Sequence, residues 1–171
     1  VKRAVIYNIF PDSFASEREY ISGKASEKEF AGQSVKGKLG GTIRGITENV
    51  SYIKDLGINA VYINPIFAAG EYHKYDLIDY FHVDPCFGTN EEFRELVDIF
   101  HKNGIRVIID GVFNHCGWKF FAFEDVREKK WDSPYKDWFY INFDGNSCYD
   151  DGFWYEGWEG HFELVKLNLD N

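Results

Sequence analysis

An aspartate and a histidine, five residues apart, follow an apolar run at one point of the chain. The run Arg106-Val107-Ile108-Ile109 is β-branched and predicts a strand buried on both faces. Asp110 follows it directly, and His115 closes the sequence DGVFNH. Because a buried, unpaired carboxylate is costly, such a group is usually partnered or part of a polar site. The residues alone leave two interpretations open: a functional polar site, or a strand-end cap beside a surface histidine.

The elements that must position these residues alternate between strands and helices. Three short apolar runs predict strands, over Ala4–Tyr7, Ala60–Ile63 and Val107–Ile109. Apolar residues at spacings of three and four predict two helices, from the stripes Ile43, Ile46, Val50, Ile53, Leu56 and Phe93, Leu96, Val97, Phe100. The order β-α-β-α-β is typical of a parallel sheet with right-handed crossovers.

Capping signals mark where these two helices begin and end. Thr89 and Glu92 form a capping-box pattern at the start of the second helix. Gly57 and Gly104 follow the two stripes and predict helix C-termini. The sequences G-x-G-x-x-G and G-x-x-x-x-G-K-[ST] are both missing, which argues against a nucleotide-binding sheet. The long loops after the strands favour a barrel with its site at the strand C-terminal ends.

Composition limits the classes of partner. The net charge is −9 and no basic stripe occurs, which argues against nucleic acid or an anionic membrane as partners. No apolar run approaches the roughly 20 residues that a membrane-spanning helix needs. The three cysteines, Cys86, Cys116 and Cys148, are widely spaced and fit a reducing, cytoplasmic compartment. The absence of methionine and the ending LVKLNLDN suggest a piece of a longer chain.

An aromatic-rich segment follows the third predicted strand. All five tryptophans fall within it, at positions 118, 131, 138, 154 and 158. We predict a first part over residues 1–115 and an irregular insertion over residues 116–171. Such an insertion needs large side chains to build its own small core, so most of the tryptophans and tyrosines are expected there, with one or two facing a ligand.

These motifs together resemble the α-amylase family of glycoside hydrolases. DGVFNH is similar to the first signature of the family, and VIYNIFPDSF is similar to its first barrel strand. GGTIRGITENVSYIKDLGINAVYINPIF resembles the first helix and second strand, and SPYKDWFYI resembles the insertion called domain B. HKYD and the late LVKLN resemble the neopullulanase and cyclomaltodextrinase branch.

The resemblance implies a partial TIM (β/α)8 barrel of three strands and two helices, and it implies sugar-binding residues. Tyr75 matches an aromatic residue that stacks on a sugar ring, and His115 matches a histidine that bonds the same sugar. Asp110 matches a residue that fixes the floor of the site through an arginine on the fourth strand. His73 would line the substrate cleft, although a structural role competes with that interpretation.

Other positions match the family less completely. Asn114 matches a calcium-binding position that the neopullulanase branch often lacks, so calcium is an expectation that depends on Asn114 alone. Lys166 and Asn168 match the late motif, but Val165 replaces its usual proline.

The resemblance also implies what this chain does not carry. Family members place the nucleophile after the fourth strand and the acid/base glutamate after the fifth, so we expect no catalytic residue here. Retaining hydrolysis needs two carboxyl groups about 5 Å apart. We therefore expect a fragment, inactive alone, of a retaining hydrolase that cleaves α-1,4 or α-1,6 bonds.

The expected partners are α-glucans, maltooligosaccharides or cyclodextrins. A further copy of the chain is also expected, because open sheet edges favour a homo-oligomer. The alternative is a non-catalytic carbohydrate-binding or interaction protein on the same fold.

Overall fold

A computed structural model describes residues 3–16 and 39–171 of the chain. The chain divides into two compact units. Unit 1 consists of Val1–Ile66 and His82–Asp110, and unit 2 consists of Phe67–Phe81 and Gly111–Asn171. The loop 67–81 therefore groups with the segment that follows Asp110. The division into a barrel part over residues 1–115 and an insertion over residues 116–171 stays a prediction.

Unit 1 contains a parallel sheet in the order β1-β2-β3. Its strands are β1 (Ile6–Ile9), β2 (Ala60–Ile63) and β3 (Arg106–Ile109), paired in register from end to end. The predicted second and third strands are confirmed. The first strand begins two residues later than predicted, because the Asn59 side chain takes the place of ladder bonds. Its Oδ1 accepts from the Val5 N–H at 2.8 Å, and its Nδ2 donates to the Arg3 carbonyl at 2.9 Å.

The helices of unit 1 confirm one prediction and correct another. They are α1 (Pro11–Phe14), α2 (Ile43–Glu48), α3 (Val50–Asp55) and α4 (Asn90–Lys102). The single helix predicted over 43–56 is wrong, because Asn49 leaves helical geometry and its side chain donates to the Gly45 carbonyl at 2.8 Å. Leu56 is 50% exposed and lies outside the buried stripe. Gly57 has φ +76°, as a residue following a helix C-terminus requires.

Helix α4 begins with the predicted capping box. The Thr89 hydroxyl accepts from the Glu92 N–H at 3.2 Å, and the Glu92 carboxylate accepts from the Thr89 N–H at 2.9 Å. Leu96 and Phe100 are fully buried, which confirms the apolar face of this helix. The sheet and helices therefore pack as the βαβ order predicts.

The prediction that β3 is buried on both faces is wrong. Within the part of unit 1 that the structure describes, β3 pairs only with β2 and forms an edge. Ile108 and Ile109 remain 41% and 40% exposed. Their β-branched, apolar character is that of a central strand, but no described neighbour covers them.

Unit 2 is built from one helix and short antiparallel strands. They are β4 (His115–Gly117), α5 (Phe121–Lys129), β5 (Ile141–Asn142), β6 (Trp154–Tyr155), β7 (Gly157–Trp158) and β8 (His161–Lys166). One sheet has the order β4-β8-β7, and the other pairs β5 with β6. Regular elements therefore organise the segment that the sequence analysis describes as irregular.

The core of unit 2 consists mainly of phenylalanine and tyrosine. Its buried residues are Cys116, Phe120, Ala122, Phe123, Val126, Phe139, Phe153, Tyr155 and Val165. Edge-to-face packing is common, as between Phe123 and Tyr155 at a centroid distance of 4.9 Å. The expectation that large aromatics build a separate core is thus confirmed for these residues.

The tryptophans do not belong to the buried residues of that core. Trp118 is half-buried against it, whereas the other four are between 38% and 65% exposed. For Trp154 the cause is strand alternation: on β6, its neighbour Tyr155 points into the core, so Trp154 points away. The prediction that most tryptophans are core residues is therefore wrong.

In residues 3–16 and 39–171, no helix is long and apolar enough to cross a bilayer.

Candidate functional site

Strand β4 presents His115 on the side of the sheet away from the core. His115 lies opposite Lys166 on β8, and the next pair, Cys116 and Val165, is fully buried. Successive residues of a strand face opposite sides, so His115 points away from those two. Its side chain is nevertheless only 7% exposed. Another part of unit 2 must therefore cover it.

The loop 67–81 provides that cover through hydrogen bonds to β4. His115 Nε2 lies 3.0 Å from the Tyr75 carbonyl oxygen. The Gly117 N–H donates to the Leu77 carbonyl at 2.8 Å, and the Tyr80 hydroxyl donates to the His115 carbonyl at 3.0 Å. Burial raises the pKa of Tyr80, so its hydroxyl stays a donor. These bonds bring Tyr75 and His115, two predicted site residues, to one place.

The hydrogen bonds of His115 define its tautomer. A carbonyl oxygen only accepts, so Nε2 carries the hydrogen and donates it to Tyr75. Nδ1 is then the acceptor, and the Asn114 side-chain amide donates to it at 3.3 Å. Burial lowers the pKa of His115, although the Tyr75 carbonyl and the Asp76 carboxylate act in the opposite direction. The imidazole is therefore neutral near pH 7 and both of its nitrogens are engaged.

His73 and Tyr75 form an aromatic pair on the same loop. Their rings are stacked with centroids 5.9 Å apart, and the Tyr75 N–H donates to His73 Nδ1 at 3.1 Å. Lys74 between them has φ +62°, which turns the chain sharply. Both rings are half-buried, so each keeps an accessible part. An aromatic face of this kind can cover the apolar C–H face of a sugar ring.

Asp76 fixes the turn that carries this pair. Its Oδ1 accepts from the Glu71 N–H at 3.0 Å, and its backbone packs against Gly117 on β4. A Cβ at Gly117 would lie 2.5 Å from the Asp76 carbonyl oxygen. Because a side chain does not fit in that space, glycine at position 117 allows the loop to approach the strand closely.

Asp110 belongs to unit 1, at the C-terminal end of β3. Its N–H donates to the Ile63 carbonyl at 2.9 Å, and its side chain is half-buried. The structure thus brings His73, Tyr75, Asn114 and His115 together in unit 2, and it places Asp110 in the other unit.

The sequence analysis did not single out the residue whose ring lies beside His115. The Trp158 indole has its centroid 5.7 Å from the imidazole. Trp158 was one of five tryptophans without individual assignment. The sequence WEGH, a two-residue turn between strand residues, is the signal that could have located it.

Lys166 lies opposite His115 and forms an ion pair with Glu156. Its Nζ is 2.6 Å from Glu156 Oε1 and 5.4 Å from the centroid of the Tyr140 ring. Glu156 raises the pKa of Lys166, which keeps the amine charged. Asn168 makes a structural bond, since its side chain donates to the Asp137 carbonyl at 3.0 Å.

A calcium site at Asn114 stays a prediction. Calcium takes six to eight oxygen ligands, including carboxylates. The Asn114 side-chain nitrogen points at His115, and its backbone carbonyl accepts from the Leu167 N–H at 3.0 Å. Among residues 3–16 and 39–171, no group of three or more histidine, cysteine or acidic side chains is arranged to hold a metal ion.

Comparison with known proteins identifies the family. The family model described as "Alpha amylase, catalytic domain" matches residues 8–166. The chain belongs to the alpha-amylase family. The chain is 44% identical to Neopullulanase 2 of Thermoactinomyces vulgaris over 142 residues, which covers 82% of this chain and 24% of that protein. It is also 44% identical to the Intracellular maltogenic amylase of Bacillus subtilis strain 168, over 83% of this chain and 24% of that one.

A solved structure of the alpha-amylase family has the same fold. The acarbose-soaked debranching enzyme of Nostoc punctiforme superimposes with a TM-score of 0.80 and 43% identity, over 100% of this chain and 38% of that one. The fold prediction is therefore confirmed: this chain is part of an alpha-amylase barrel domain, and in residues 3–16 and 39–171 its parallel sheet has three strands that do not close into a barrel. The chain spans about a quarter of the length of the curated relatives it matches.

Proposed function

We propose that this chain is part of an α-glucan hydrolase and that unit 2 binds one glucosyl residue of the substrate. The observation that carries this proposal is the hydrogen bond between His115 Nε2 and the Tyr75 carbonyl, which ties the loop that carries the stacked His73 and Tyr75 rings to β4. Neopullulanase 2, which this chain resembles, is named for the glucan pullulan.

In the proposed site, Tyr75 covers the apolar face of the sugar ring and His73 lines the cleft beside it. Stacking buries C–H surface without removing hydroxyl groups from their hydrogen bonds. His115 is proposed to serve the sugar site by donating its Nε2–H to the Tyr75 carbonyl, which holds the loop that carries the Tyr75 ring. Asp110, at the end of β3 in unit 1, is proposed as a further substrate-binding residue.

The chain alone is proposed to leave the glycosidic bond intact. The strands β1, β2 and β3 are followed directly by Phe10, Asn64 and Asp110, so one of these three positions carries a carboxyl group. Retaining hydrolysis uses two, as nucleophile and as acid/base, about 5 Å apart. The presence of one carboxyl group among these three positions also supports the alternative, a non-catalytic sugar-binding role for the chain.

The experiment combines a binding assay with an activity assay on the 171-residue chain. Calorimetric titration with maltotriose should give binding that Tyr75→Ala weakens about fivefold, the effect of losing a ring contact of about 1 kcal/mol. Tyr149→Ala is the matched control, since Tyr149 is an exposed tyrosine of the same unit. Release of reducing sugar from maltooligosaccharide should stay at the level of a protein-free control. Equal affinity for all three proteins would contradict the proposed site.

We also propose that the protein is cytoplasmic and that it forms a homo-oligomer. A cytoplasmic location is supported by three free cysteines and by the similarity to an intracellular maltogenic amylase. A homo-oligomer is supported by the exposed edge residues of the parallel sheet, Val5, Ile6, Ile108 and Ile109.

A further inference from the structure

Trp158 lies on a hairpin whose geometry fixes its side chain. Strands β7 and β8 are joined by Glu159 and Gly160, with φ of +49° and +87°. Two-residue loops with positive φ at both positions make tight hairpin turns that match strand twist. Trp158 is paired with His161 across this turn, and their rings are stacked 6.1 Å apart. The indole is thus held from one side by its own hairpin.

A β-bulge also determines the direction in which the Trp158 indole points. The pairing of β7 with β8 shifts register between Gly157 and Trp158. Bulges change the direction in which the following side chain points, and they occur beside functional sites. A Cβ at Gly157 would collide with the His161 carbonyl oxygen, so glycine is needed there. The hairpin therefore has little freedom to move Trp158 away from its position.

The indole contacts the imidazole whose hydrogen bond holds the Tyr75 loop. The two ring centroids are 5.7 Å apart and the planes are inclined by 34°. His115 is 7% exposed whereas Trp158 is 40% exposed, so the indole is the partner at the solvent boundary. Removing it would open the imidazole to water, and water would compete with the Tyr75 carbonyl for the Nε2–H.

We propose that Trp158 is a positioning residue: its indole holds the His115 ring in the orientation that donates Nε2–H to Tyr75, and thereby holds the loop that presents the Tyr75 ring. The sugar-binding consequence rests on the proposed function above, whereas the positioning of His115 does not. The residue acts through His115 and Tyr75 and need not touch the ligand.

The charges that face His115 set the expected response of its titration. Asp76 lies on the covering loop and favours the protonated imidazole. Lys166 lies opposite on β8, and its charge is paired with Glu156. The indole is neutral, so replacing it removes no charge near His115 and changes mainly the solvation of the imidazole. The pKa of His115 should therefore rise when the indole is removed.

The experiment measures the His115 imidazole by nitrogen-15 NMR in the 171-residue chain. In Trp158→Ala, the Nε2 proton should exchange with water about fivefold faster, and the pKa of His115 should move up toward 6.5. Trp158→Phe keeps a ring and should restore both values. Trp154→Ala is the matched control, because Trp154 is 38% exposed in the same unit. Unchanged exchange and pKa in Trp158→Ala would overturn the proposal.

A second variant and a binding titration make the experiment decisive. If Trp158→Ala does not fold, Trp158→Leu keeps apolar bulk without a ring; faster exchange there supports the proposal and an unchanged rate refutes it. A parallel titration with maltotriose separates the two proposals. If the wild-type chain shows no binding while the variant still alters His115, the proposed function fails and the positioning role stands. If the wild type binds and Trp158→Ala binds about fivefold more weakly, both are supported.

Discussion

Substituting alanine for Gly117 should separate the loop 67–81 from β4. The new Cβ would lie 2.5 Å from the Asp76 carbonyl oxygen and 2.9 Å from its carbonyl carbon. Ordinary contact begins near 3.4 Å, so the backbones of loop and strand must move apart by about 0.9 Å. The displaced atoms are backbone, which cannot rotate away as a side chain can.

That movement acts on the bonds that build the site. The Gly117 N–H to Leu77 bond at 2.8 Å and the His115 to Tyr75 bond at 3.0 Å join the same two segments. Overpacking typically costs about 1–3 kcal/mol, and each weakened hydrogen bond adds about 0.5–1.5 kcal/mol. With two bonds weakened, we therefore expect Gly117→Ala to lower the free energy of unfolding by about 2–6 kcal/mol.

Urea unfolding, followed by tryptophan fluorescence, measures this loss. Lys119→Ala is the control, because Lys119 is exposed and lies two residues after Gly117, outside the contact between strand and loop. The control should cost less than about 1 kcal/mol. If the two variants unfold at the same urea concentration, close approach at Gly117 does not hold the loop.

Three further predictions follow from other parts of the chain. Because the pKa of His115 is lowered in the folded state, the unfolded chain binds more protons than the folded chain as pH falls through 6.5. The free energy of unfolding should then fall by up to about 1.4 kcal/mol per pH unit. His115→Gln should remove that part of the pH dependence, which urea midpoints measured at pH 7.5 and 5.5 would show. Thr89→Ala should cost about 1 kcal/mol in chemical unfolding through loss of the capping box, whereas the exposed Glu91→Ala should cost less than about 0.5 kcal/mol; equal losses would argue against the cap. Sedimentation equilibrium should show self-association that Ile109→Lys reduces, since Ile109 is 40% exposed on an edge strand; a monomer at every concentration would contradict this.

Local sequence patterns predicted the elements of unit 1 well. The runs at 60–63 and 107–109 became β2 and β3, and the Thr89–Glu92 box begins α4. These signals are local, because periodicity and capping depend on residues within one or two turns. The break at Asn49 was missed for the same kind of reason: one side chain bonds a backbone carbonyl four residues earlier, which the apolar stripe does not record.

Unit 2 shows where local patterns are not sufficient. Tyr75 and His115 are 40 positions apart, and only the folded chain shows that a backbone carbonyl joins them. The choice of phenylalanine and tyrosine over tryptophan for the core depends on strand direction at residues such as Tyr155 and Trp154. Likewise, no composition argument distinguishes Trp158 from the other exposed tryptophans; its hairpin register does.

We propose above that the loop 67–81 and β4 together form a binding site for one glucosyl residue. Backbone amide chemical shifts of the 171-residue chain can be recorded during titration with maltotriose. The largest changes should occur at residues 73–76 and 114–116, with smaller ones at Trp158. Saturating changes confined to other residues, or no change at millimolar maltotriose, would contradict it.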